Sequence, residues 1–70
     1  MRYVVVIEKG RKSFGAYVPD LAGCVAVAKT RPAVVKLIQG AIEFHIESLK
    51  KDGERVPKPS SSVEFVEVAA

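Results

Sequence analysis

The sequence predicts an α+β domain of order β-β-β-α-β. Its four-stranded mixed sheet has the order 3-2-1-4, with one long helix packed on one face. Three observations lead there. Short runs rich in β-branched and aromatic residues recur in the first 28 positions, separated by turn residues. A long middle stretch carries apolar residues at helical spacing. A last β-rich run follows two prolines near the C-terminal end.

Residues 2–8 form the first strand. Tyr3, Val5 and Ile7 point to one side, and Val4 and Val6 to the other. A strand apolar on both sides belongs in the middle of a sheet or beneath a partner. Gly10 marks a turn, and residues 13–18 return antiparallel as the second strand, with Gly15 a candidate bulge. Pro19, Asp20, Leu21, Ala22 and Gly23 break the chain firmly. Residues 24–28 are a short third strand.

Thr30 is suited to cap a helix, and Pro32 falls in its first turn, where the missing N–H costs nothing. The helix should run to about Asp52 and stop at Gly53. Val34, Val35, Leu37, Ile38, Ala41, Ile42, Phe44, His45, Ile46 and Leu49 make a wide apolar arc. Residues 54–61 hold Pro57 and Pro59 and read as an extended connection. Residues 62–68 are the fourth strand, parallel to the first through a right-handed crossover. Its pattern slips phase at Val66.

Seventy residues suffice for one domain, 1–70, with a thin core. Small domains recover stability from disulfides, metals or oligomerisation. One cysteine, Cys24, excludes an internal disulfide, and with His45 as the single histidine no four-ligand zinc site can be built. That leaves oligomerisation, as a homodimer or homotetramer. The unpaired thiol and the absence of a signal-like or membrane-length apolar run point to a cytoplasmic protein. The net charge is +3, and its only dense basic stretch is Lys9, Arg11 and Lys12.

The stretch from Phe14 to Ala26, the segment Ala41–Glu47 and the exit Gly53-Glu54-Arg55-Val56-Pro57 together resemble the HicB-like antitoxin domains. The match runs over nearly the whole chain, in the family's order. The resemblance implies a partial ribonuclease H-like fold. It also implies a partner, a small HicA-type RNase toxin that cleaves mRNA and is neutralised by occlusion. The DNA-binding domain that fuller members carry after the fourth strand is absent from this stretch, Ala33 replaces the acidic residue of a capping box, and the chain is basic.

No catalytic set emerges. A ribonuclease H-like site needs converging carboxylates, and Glu43 and Glu47 fall on the solvent side of the helix. No cofactor or metal is expected. His45 reads as a packed histidine, and Cys24 as a buried small side chain. Asp20 is equally suited to touching a partner or to accepting amides in its own turn. Tyr17, Asp20 and Leu21 are the candidate partner contacts. Val4, Val6, Val25 and Val27 would form a second apolar sheet face and, with Phe65 and Val66 of an edge strand, an oligomer interface. Two other readings stay open: a nucleic-acid binder using Lys9, Arg11 and Lys12, and a domain that only self-assembles.

Overall fold

A computed structural model describes residues 1–70. It contains β1 (Val6–Lys9), β2 (Phe14–Tyr17), β3 (Val25–Ala28) and α1 (Arg31–Lys51). The three strands form one antiparallel sheet of order β1-β2-β3. The expected four-stranded sheet of order 3-2-1-4 is therefore corrected to three strands. β2 takes the centre, β1 is an edge, and residues 62–68 form no strand.

Local hydrogen bonds explain why β1 begins at Val6 rather than near residue 2. Val6 is paired with Tyr17, so Val5 would next face Val18. Val18 turns its N–H to the β3 side, in the continuing β2–β3 register. Its N–H donates to the Cys24 carbonyl, and its carbonyl accepts from the Leu21 N–H. Pro19 then offers no N–H at all. The ladder runs out, although residues 3–5 keep strand-forming side chains.

The missing fourth strand has a comparable cause. In extended chain, Val63 and Phe65 share one side, and Val66 and Val68 the other. A strand on a sheet with one covered face can bury only one of those sets. Neither is buried here.

The helix begins and ends on local chemistry. Thr30 lies extended at the N-cap, and its Oγ1 accepts from the Ala33 N–H at 3.2 Å. Pro32 occupies the first turn, and Lys50 and Lys51 sit in the last, where cations oppose the helix dipole. Gly53 ends it at φ +70°, and its N–H donates to the Lys50 carbonyl.

The helix lies against β3 and β2. Ala16, Val18, Leu21, Cys24, Ala26, Val34 and Ile38 form the buried core. Alanine at the centres of β2 and β3 lets the helix approach closely. The 21-residue helix is about 32 Å long, whereas four-residue strands span only about 13 Å. Its C-terminal half therefore overhangs the sheet. Val34 and Ile38, one turn apart over the sheet, are fully buried; Val35 and Leu37 beside them turn away from the strands, and Phe44 lies on the overhanging half, so all three are exposed.

Candidate functional site

Strand register builds a row of apolar side chains on the sheet face away from the helix. Val6 is directly opposite Tyr17, and Tyr17 is directly opposite Val25. The next row on that face is Glu8, Gly15 and Val27. The intervening residues Ile7, Ala16 and Ala26 turn toward the helix. Tyr17, Val25 and Val27 are 40, 63 and 65% exposed. Gly15 leaves a side-chain-free notch between Glu8 and Val27, and a Cβ there would meet nothing within 4 Å. The face is thus largely apolar, open at Gly15, and rimmed by the Glu8 carboxylate.

The Pro19–Gly23 turn flanks this face. The Leu21 N–H donates to the Val18 carbonyl, and the Cys24 N–H to the Leu21 carbonyl. Gly23 closes the turn at φ +80°, a conformation L side chains rarely adopt. This winding drives Leu21 inward to 1% exposure, so the turn is anchored from beneath. Leu21 is thus a core residue, while Tyr17 stands on the open face.

Asp20 holds a distant segment. Its Oδ2 accepts from the backbone N–H groups of Ser60 and Ser61 at 2.9 and 3.0 Å. Its Oδ1 accepts from their hydroxyls at 3.0 and 2.8 Å. Those donors stabilise the anion, the Ser61 N–H most, and lower the Asp20 pKa from 3.8 to about 2. The Tyr3 hydroxyl adds a second tie by donating to the Pro57 carbonyl. Sequence reasoning gave Asp20 a partner or its own turn, and missed a ligand set forty residues away. The only signal was an Asp in a turn and the run Ser60-Ser61-Ser62 after Pro59, and nothing in the sequence couples them.

The remaining candidates lie apart. Val4 precedes β1 and lines a shallow groove with Arg2, Tyr3, Val5 and Val63. Phe65 and Val66 are on the exposed C-terminal segment, away from any strand. Lys9 ends β1, and Arg11 and Lys12 occupy the exposed tip of the β1–β2 hairpin, closed by the Gly10 N–H donating to the Ser13 carbonyl at 2.7 Å. Cys24 is buried, which pushes its thiol pKa up and away from nucleophilic use. His45 is half-buried on the helix, and no three His, Cys, Asp or Glu side chains converge. No helix is long and apolar enough to cross a membrane.

With this geometry in view, comparison with known proteins is informative. A family model described as the HicB-like antitoxin of bacterial toxin–antitoxin systems matches residues 3–69. A UPF0150 protein of Thermoplasma acidophilum is 37% identical over 62 residues, covering 87% of this chain and 90% of that protein. A UPF0150 protein of Helicobacter pylori is 34% identical over 65 residues, covering 91% and 90%. An uncharacterised 14.9 kDa protein from the rep–hol intergenic region of Haemophilus phage HP1 is 32% identical over 66 residues. The match takes in 94% of this chain and half the length of the phage protein. No solved structure matches.

Proposed function

The chain belongs to the HicB-like antitoxin family of bacterial toxin–antitoxin systems, and from that membership we propose that it is a protein-binding module that neutralises a small HicA-type, mRNA-cleaving toxin by covering it. The observation that carries this reading is the outer row Val6, Tyr17 and Val25 with Val27 beside it. A monomer seldom leaves so much contiguous apolar surface open without a use for it. Tyr17 supplies a large, rigid anchor with a polar tip, the kind of residue that dominates binding energy. The adjoining turn is held fixed by Leu21 and Gly23, so little ordering entropy is lost on docking. A chain of net charge +3 has no attraction for a basic toxin. Association therefore runs on apolar burial, near the unsteered rate of about 10⁵–10⁶ M⁻¹s⁻¹ and with little salt dependence.

The test is growth rescue. Wild type co-expressed with a HicA-type toxin should restore growth. The double variant Val25→Asp/Val27→Asp should fail to do so while keeping its helical circular dichroism, because both side chains are already exposed. Full rescue by the folded double variant rules this face out as the covering surface.

The basic hairpin tip favours a second reading, nucleic-acid binding through Lys9, Arg11 and Lys12. Three phosphate contacts to duplex DNA would give a slope of about −2.7 in log K against log salt. A flat salt response removes this reading.

A further inference from the structure

We propose that Asp20 is a positioning residue for the outer sheet face: through Ser60 and Ser61 it fastens residues 57–61 as a strap across the end of the sheet, and so keeps that face in shape for a docking partner. The inference rests on the toxin-covering reading of the face and adds what holds the face ready.

The end of the sheet lacks ties of its own. The β1–β2 ladder stops at the pair Val6 and Tyr17, and Pro19 has no N–H with which to extend it. Carried on in the same register, Tyr3 falls level with Asp20. Residues 1–5 enter no backbone hydrogen bond, and neither does Asp20. Two chains therefore run on side by side past the ladder with nothing between their backbones to join them.

Side chains supply what the ladder does not. On the first chain, the Tyr3 hydroxyl donates to the Pro57 carbonyl. On the second, the Asp20 carboxylate accepts from the N–H and hydroxyl groups of both Ser60 and Ser61. Residues 57–61 thus bridge the two chains. Pro57 and Pro59 fix φ at two positions of the strap, which lowers the entropy lost in holding it. Pro59 and Ser61 are half-buried, so the strap lies against the domain.

A direct partner contact by Asp20 fits this geometry poorly. An ionised carboxylate offers about four acceptor positions, and Ser60 and Ser61 fill four. Asp20 acts on docking through the strap instead. Val6 and Tyr17 are the ladder pair next to the unpaired end, and both belong to the outer row. End pairs open most readily. With the strap released, Val6 and Tyr17 part more often, and the cost of ordering them falls on docking.

The test sets Asp20→Asn beside Ser60→Ala/Ser61→Ala, which keeps the carboxylate and removes its two hydroxyl donors. In the free chain at neutral pH, both should keep the helical circular dichroism. Both should also speed amide exchange at the Val6–Tyr17 pair and at Leu21, whose N–H bonds Val18 within the turn. Each should weaken binding to a purified HicA-type toxin roughly tenfold, mainly through a faster off rate. Combining them should weaken it no further than Asp20→Asn alone, because both break one unit. Ser60→Thr/Ser61→Thr keeps every donor and should restore wild-type binding and exchange. Unchanged exchange in both variants overturns the proposal, with or without a toxin. So does full-strength binding by Ser60→Ala/Ser61→Ala beside weak binding by Asp20→Asn, which would make Asp20 itself the contact. A wild type that binds no toxin overturns the toxin-covering reading, and the exchange measurement then still decides whether the strap holds the face.

Discussion

Asp20 accepts four hydrogen bonds from two serines forty positions away, and this one carboxylate roots the C-terminal segment. Its pKa is lowered in the fold from 3.8 to about 2. A carboxylate with a depressed folded pKa stabilises the fold fully above its unfolded value, and that stability is lost as pH falls through the folded value. The clamp should therefore hold above about pH 4 and release through about pH 2. An NMR titration of the Asp20 side chain should show its midpoint near 2, and the Ser60 and Ser61 amides should lose exchange protection in Asp20→Asn at neutral pH. A midpoint at the ordinary 3.8 would mean that the clamp does not form in solution. Other single residues were readable from sequence, because their partners are three residues away or fewer. Thr30 caps Ala33, and Gly53 takes the left-handed stop. Asp20 was not readable in the same way, since its partners are set by the path of the whole chain.

At the scale of elements, the helix follows rules of local spacing, and so its start and stop match the pattern of residues. The sheet does not, because pairing depends on what neighbouring turns consume. Pro19 follows Val18 with no N–H to give, which ends the β1 ladder, and no other strand lies on the far side of β1. Within the helix, Ile38 packs at 2% exposure between the strands and the neighbouring turn. Ile38→Ala should cost about 2–5 kcal/mol, comparable with the whole stability of a domain this small, and should leave little folded protein by circular dichroism. Gly40 is the opposite case. It lies in the helix interior, exposed, and an added Cβ meets nothing within 4 Å. Gly40→Ala should stabilise by about 0.8–1 kcal/mol and raise the thermal midpoint by roughly 4–8 °C. A lowered midpoint would show that the bare backbone at Gly40, between exposed Leu37 and Phe44, is itself a packing surface in the assembled protein.

For the whole molecule, the governing fact is that only 7 of 70 residues are buried. The radius of gyration is 13.9 Å, against about 11 Å for a compact domain of this length. The outer sheet face was legible in part: alternation within each strand separates Val6, Tyr17, Val25 and Val27 from the core-facing set, whereas Val4, expected beside them, precedes β1. The fate of residues 62–68 was not, because their exposed apolar side chains state a need for cover without saying which chain supplies it. A fold so lightly buried should draw part of its stability from association. Anything that binds the folded chain and not the unfolded one raises stability by mass action. Where that association is with a second copy, each tenfold rise in protein concentration should lift the thermal midpoint by roughly 3–6 °C. If the wild-type midpoint is itself independent of concentration, the seven-residue core suffices for folding alone, and both exposed apolar surfaces are then free for partners other than a second copy.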